Sequence, residues 1–170
     1  MQERGHAMIR RATEQDASRI AEIQIFAKRK AYRPIFQNDH VSFNEMQVLP
    51  LALYFRDEKG ALDGIYVYDD GIVKGMMKLN CASDEAWELK ELYVEPFFQG
   101  EGVGRALMEG FLASARARGV RSAFLWVLEE NAAARRFYEA QGYAYSGERM
   151  EFAGTGKFLL KYGIELRGDM

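Results

Sequence analysis

"ELYVEPFFQGEGVGRALMEGF", residues 91–111, sets a short apolar run ahead of a long amphipathic one and places Gly100, Gly102 and Gly104 between them. The first run reads as the end of a strand that Pro96 stops, because proline removes a ladder donor. The second carries apolar residues at 103, 107, 111 and 115 with a further row at 104, 108 and 112, the spacing of a helix. Arg116 and Arg118 fall in its last turn, and Gly119 ends it. A strand, a glycine-rich turn and a helix together present the unpaired N–H groups of a helix start, where the absence of Cβ atoms lets an anion approach. The stretch is therefore either a tight connection or a place where something lies close to bare backbone.

Working outward, "MIRRAT" (8–13) alternates like a strand, and residues 13–32 carry Ala17, Ile20, Ala21, Ile23 and Ala27 near a helical stripe. Thr13 with Asp16 resembles a capping start. Residues 33–42 read as a turn-rich joint, and 43–54 as a second, shorter helix. "GIYVYDDGIVKGMMKLNCA" (64–82) reads as two strands joined at Asp69-Asp70-Gly71. "EAWELKELYVEP" (85–96) is a third extended run. "SAFLWVL" (122–128) is a buried strand, "NAAARRFYEAQG" (131–142) a helix opened by Asn131 and closed by Gly142, and 143–166 a hairpin around "AGTG". The order βαα, βββ, αβα, ββ predicts an α/β (α+β) domain: a mixed, mostly antiparallel sheet of about six to seven strands with helices on both faces.

Composition narrows the function classes. The chain has 170 residues, 48% hydrophobic and 28% charged, with a formal net charge of −2. That is one globular domain, with no basic field to attract nucleic acid or an anionic membrane. The single Cys81 excludes an internal disulfide and a Cys-rich zinc site. No apolar run approaches the roughly 20 residues of a membrane span. The polar residues 1–7 do not resemble the apolar core of a secretion signal and read as an N-terminal extension or tag remnant, with the domain over 8–167. Together these point to a cytoplasmic protein. No His/Asp/Glu cluster has metal spacing, and no Gly-x-Ser-x-Gly nucleophile elbow occurs.

The glycine spacing selects among anion sites. A Walker loop needs Lys and then Ser or Thr after its last glycine, but Arg105 and Ala106 follow here. The dinucleotide fingerprint needs glycine at its first, third and sixth positions, and the sixth here is Arg105. "QGEGVG" (99–104) instead matches Gln/Arg-x-x-Gly-x-Gly/Ala and resembles the coenzyme A pyrophosphate loop of the GNAT superfamily of N-acetyltransferases. "NAAARRFYEAQGY" (131–143) resembles that family's second signature, Asn-x-x-Ala-x-x-Phe-Tyr-x-x-x-Gly-Tyr/Phe. Element order from Met8 to Leu166 matches too, the amino-terminal half by order alone.

The resemblance implies a sheet splayed between its fourth and fifth strands, with the pantetheine of acetyl-CoA filling the gap. Gln99, Gly100, Gly102, Val103, Gly104 and Arg105 would hold the pyrophosphate at the helix start. The backbone of Leu92, Tyr93 and Val94 would bond the pantetheine and acyl group, with the Val94 amide polarising the carbonyl. Ala134 is small enough for close approach, and Asn131 is an N-cap at a position where the family also contacts cofactor. Tyr138, one turn after Ala134, is the candidate general acid, whereas Phe137 belongs to the core. Glu91 is the candidate general base, with Glu88 and Glu129 as alternatives. On a strand Glu91 and Tyr93 share one face, Leu92 and Val94 the other.

Less is implied elsewhere. Tyr32 and Phe36, beside Arg33 and Pro34, are placed to line an acceptor site. His40 is either a base or substrate contact, or a solvent-exposed loop residue. Cys81, Met76 and Met77 read as core or pocket lining, and Trp126 as core. The implied activity moves an acetyl group from acetyl-CoA to a primary amine by direct attack in a ternary complex, without metal. A non-catalytic acyl-CoA-binding sensor or interaction module is the alternative. The acceptor, a small molecule or peptide, is open, as is a homodimer through edge strands.

Overall fold

The computed structural model describes residues 8–166, so the extension expected at 1–7 and the domain's last expected residue, Arg167, lie outside the described residues. Strands β1 (Met8–Arg11), β2 (Ile65–Asp69), β3 (Val73–Asn80), β4 (Ala86–Val94), β5 (Ser122–Leu128), β6 (Ala144–Glu151) and β7 (Phe158–Glu165) form one sheet in the order β1-β2-β3-β4-β5-β7-β6. Every pairing is antiparallel except β4–β5. A parallel pair needs a crossover, and helix α3 (Val103–Ala117) supplies it. Helices α1 (Ala17–Phe36) and α2 (Val48–Asp57) precede β2, and α4 (Ala132–Ala140) follows β5.

The β4–β5 pair is short. Its rungs run only from Ala86↔Ser122 to Glu88↔Phe124, although β4 continues to Val94 and β5 to Leu128. Beyond those rungs the strands part, leaving an opening in the middle of the sheet. Two apolar clusters cover the sheet's faces. One joins Leu107, Phe111 and Ala115 of α3 to Trp87, Leu89, Leu125 and Tyr162. The other joins Ile20 and Ile23 of α1 and Phe55 of α2 to Ile65, Val67 and Met76.

A bulge in β4 decides which of its side chains face which cluster. Lys78 pairs with Glu91 but Leu79 pairs with Leu89, so Lys90 is an extra residue in the ladder. Trp87 and Leu89 pack on the α3 side, and after the extra residue Leu92 and Val94 continue there. Glu91 and Tyr93 are thereby turned toward α1. An unbroken alternation would have buried both beside Trp87 and Leu89.

Several expectations are corrected. Residues 33–36 are helical: α1 runs through Pro34 to Phe36 and ends at Gln37 in the left-handed region (φ 50). The Phe36 ring packs against Phe152 at 5.8 Å and Tyr32 at 6.1 Å, which holds the extra turn despite the proline. A π-helical turn follows over His40–Glu45, so the second helix starts at Val48, later than Phe43. Trp126 is not core. In β5 Ala123, Leu125 and Val127 are buried, and period-two alternation turns Phe124 and Trp126 to the other, half-buried face. Met76 and Met77 are buried on opposite faces as expected, and Cys81, though exposed, lines with Met77 a cavity of about 730 Å³ between the sheet and α3. Among the described residues no helix is long and apolar enough to cross a membrane.

The amino-terminal strand is anchored by charge. The Arg10 guanidinium donates to both oxygens of Asp16, at 2.8 and 2.9 Å, and to Asp69 at 2.9 Å. Asp16 also accepts from the Thr13 N–H at 2.8 Å. The Arg10 bond is the main reason the Asp16 carboxyl is held below its usual range. A lowered folded value contributes stability above the unfolded value, near 4, and that contribution is lost as pH falls through the folded value. Asp16→Asn is therefore expected to lower the melting temperature at neutral pH and to flatten its decline below about pH 4. Thermal melts across pH check this; parallel curves for the two proteins would contradict it.

Candidate active site

Past the end of β4, Glu95 donates its N–H to the Lys74 carbonyl at 2.9 Å, and its buried carboxylate accepts from the Phe97 N–H at 3.1 Å. The first bond fixes the ladder's phase. Glu95 and Tyr93 turn their backbone groups to β3, so those of Leu92 and Val94 point to the opening beside β5. Tyr93 offers the site its side chain, its backbone being committed to β3.

The turn to α3 follows. Gly100 and Gly102 have φ of 81° and 84°, and a Cβ on either would meet no protein atom within 4 Å. Their left-handed backbone alone favours glycine, and the space before them is open. The Ala106 N–H is already bonded to the Gly102 carbonyl at 3.0 Å. The earlier amides, of Val103, Gly104 and Arg105, lie in the first turn, where a helix has no acceptor of its own and its dipole is positive. Gly104 also faces inward: a Cβ there would sit 3.4 Å from Val94 Cγ2 and 3.7 Å from Phe137 Cζ. The side chains flanking the turn have partners. Gln99 Oε1 accepts from Lys30 Nζ at 2.9 Å, and Arg105 pairs with Glu109 at 2.9 Å.

Helix α4 forms another wall. Asn131 caps it, its Oδ1 accepting the Ala134 N–H at 3.2 Å. Ala134, Phe137 and Tyr138 pack half-buried on the α3-side cluster, and the Tyr138 ring meets Phe137 at 5.4 Å and Tyr143 at 6.1 Å. Burial is the main cause that pushes the Tyr138 phenol well above its ordinary value, and the Tyr32 phenol adds to it. Tyr93 is raised by burial and then by Tyr32, with Tyr138 contributing. The hydroxyls of Tyr32 and Tyr93 lie 3.4 Å apart. Three phenols, from α1, β4 and α4, thus influence one another, all held in the neutral form at physiological pH.

The bulged segment brings Glu91 to the α1 side, where its Oε1 accepts from Gln24 Nε2 at 3.3 Å. Gln24 is buried, and its Oε1 has no partner among the described residues. One turn on, Lys28 Nζ lies 5.6 Å above the Tyr93 ring. Burial lowers its pKa, and Glu91 acts against that. Gln24, Lys28 and Tyr32 share one face of α1. Sequence reasoning missed the first two; in the sequence they are polar positions of an amphipathic helix, like Glu22 or Arg29, with no local signal that separates them.

The remaining candidates lie elsewhere. Glu88 accepts from Asn80 at 3.3 Å beside the last β4–β5 rung, and Glu129 pairs with Arg149 at 2.9 Å. His40 is exposed, 3.0 Å from Asn44 and 3.6 Å from Glu45. Phe36 lies between the Tyr32 ring, at 6.1 Å, and the β6–β7 hairpin residue Phe152, at 5.8 Å. Among the described residues no group of three His, Cys, Asp or Glu could hold a metal ion.

Comparison with known proteins agrees with this layout. Residues 26–143 match the sequence model of the Acetyltransferase (GNAT) family. A protein of Archaeoglobus fulgidus named as an uncharacterized N-acetyltransferase is 31% identical over 159 residues, covering 87% of this chain and 97% of that relative. Among solved structures, Ard1 from Thermoplasma volcanium superposes with a TM-score of 0.70 at 21% identity, over 95% of this chain and 99% of that one. The PaiA N-acetyltransferase of Thermoplasma acidophilum, solved in complex with coenzyme A, gives 0.68 at 18% identity, over 91% and 97%. At those identities the structures show likeness of fold.

Proposed function

Because the chain belongs to the GNAT acetyltransferase family, we propose that it moves an acetyl group from acetyl-CoA to a primary amine by direct attack within a ternary complex. The observation that carries this is the opening between β4 and β5. The backbones of Leu92 and Val94 face it, the free amides of α3 begin where β4 ends, and α4 carries the phenol of Tyr138 beside Phe137 and Tyr143.

The residues fit the nucleotide. Open space in front of Gly100 and Gly102 admits a pyrophosphate to the first amides of α3, with Gln99 and Lys30 beside it. Acetyl-CoA supplies an activated thioester carbonyl. The Val94 N–H donates to the carbonyl oxygen as negative charge develops there. Glu91, directly or through a water, takes the proton that the amine must lose before its lone pair attacks. As the new C–N bond forms, the C–S bond breaks, and the departing sulfur takes a proton from Tyr138. The acylated nitrogen gives its surplus proton to the Tyr138 phenolate and Glu91 returns its own to solvent, leaving the N-acetylated amine, free CoA and both residues reset. Ala134 leaves room on the α4 side, while Asn131 keeps the helix start in place by capping it.

Release of CoA thiol over a panel of primary amines tests the reading. Acetyl-CoA-dependent N-acetylation supports it, whereas binding of acetyl-CoA without turnover on any amine would favour a non-catalytic acyl-CoA-binding module. Glu91→Gln is expected to reduce kcat/KM about tenfold at neutral pH, with the deficit shrinking as pH rises and more amine is neutral unaided. A pH–rate profile decides this; a ratio of wild type to variant that stays constant with pH would remove Glu91 as the base.

A further inference from the structure

Resting on that reading of the site, we propose that the acceptor is a small amine that carries its own carboxylate, as an α-amino acid does. Its nitrogen is received by Glu91 and Gln24 Oε1, and its carboxylate by Lys28.

The argument begins with Gln24, which is only 6% exposed. Its amide orientation is set by chemistry: the Glu91 carboxylate only accepts, so the group 3.3 Å away must be the Nε2 donor. That leaves Oε1 as a buried acceptor with no donor among the described residues. A buried acceptor left without a donor is costly, so it marks a position where a ligand's donor is favoured. An ammonium brings three donors, enough for Gln24 Oε1 and Glu91 together.

Lys28 supplies the opposite charge in the same place. It is half-buried and makes no ion pair among the described residues, and its ammonium rests above the Tyr93 ring at 5.6 Å. A carboxylate would compensate the desolvation that this lysine bears. Gln24 and Lys28 are four residues apart on one face of α1, about 6 Å along the axis, so one small molecule carrying both charges can reach both side chains. The site is therefore dipolar, acidic at Glu91 and basic at Lys28. A polyamine would set a second cation against Lys28, and a protein N-terminus or lysine side chain has no carboxylate beside its nitrogen.

The test compares free α-amino acids with their carboxamides and with polyamines, using acetyl-CoA and CoA release. The wild type is expected to use at least one free amino acid with kcat/KM about tenfold or more above that of its carboxamide, equivalent to about 1.4 kcal/mol. Lys28→Gln should raise KM for the acid about tenfold while kcat stays within about threefold and the carboxamide is unaffected. Lys28→Arg, which keeps the charge, should retain the preference. The proposal is overturned if the wild type uses carboxamides or polyamines as well as any free amino acid. It is equally overturned if Lys28→Gln alters acid and carboxamide alike. Those failures leave acetyl transfer standing, whereas failure of acetyl-CoA to raise the melting temperature would defeat the underlying reading itself.

Discussion

Tyr138→Phe is expected to lower kcat by about 100-fold while leaving protection by acetyl-CoA and the melting temperature nearly unchanged. The ring of Tyr138 packs on Phe137, Tyr143 and the α3-side cluster, and phenylalanine keeps that packing. Only the proton donor is lost. The pH dependence follows from the direction of its shift. Burial disfavours the phenolate, so the phenol remains protonated above its ordinary value near 10, and ionisation of Tyr138 should not limit the rate between about pH 7 and 9.5. Steady-state kinetics of both proteins over that range check this. Equal rates at every pH would remove the acid role. A wild-type rate that collapses in this window, with no matching change in the variant, would contradict a raised pKa.

Gly102→Asn is expected to weaken acetyl-CoA binding by about 30-fold, near 2 kcal/mol, the size of one or two charge-assisted hydrogen bonds. Gly102 needs the left-handed backbone, with φ 84°, and asparagine adopts it at lower cost than any other residue with a polar side chain of that size. A Cβ there meets no protein atom, so the fold should tolerate the change. The new side chain would instead stand in the open space before the first amides of α3. Isothermal titration with acetyl-CoA measures the effect. Unchanged affinity would mean that these glycines serve the turn and that the phosphates lie elsewhere. A large loss of melting temperature would show that Gly102 matters to folding first.

The strand-to-helix plan was readable because each element carries its own period and punctuation. Val103, Leu107, Phe111 and Ala115 are all buried, and Asn131 caps α4 through its own side chain. What escaped reading depends on distant parts of the chain. Pro34 signals a break, yet α1 continues because Phe36 finds Phe152 on the β6–β7 hairpin. The bulge at Lys90 has no marker in "LKEL", although it decides that Glu91 and Tyr93 face α1. Trp126 reads as core by its size, while its place in the β5 alternation puts it on the other face. Gln24 and Lys28 carry no local mark that distinguishes them from the solvent-facing polar residues of α1. They become inner residues only because the bulged end of β4 lies opposite them. The glycine turn and the Tyr138 helix could be named from local pattern, but the acceptor side is assembled from elements whose partners are set by tertiary packing.

The measurement that bears most directly on the account is the melting temperature of the whole chain as acetyl-CoA is titrated in. A ligand bound only by the folded protein stabilises it by RT ln(1 + [L]/Kd), about 2.7 kcal/mol at a hundredfold excess over Kd. The account predicts a melting temperature that rises continuously with acetyl-CoA, rises equally for Tyr138→Phe, and rises far less for Gly102→Asn. A melting temperature that does not move at millimolar acetyl-CoA would contradict it.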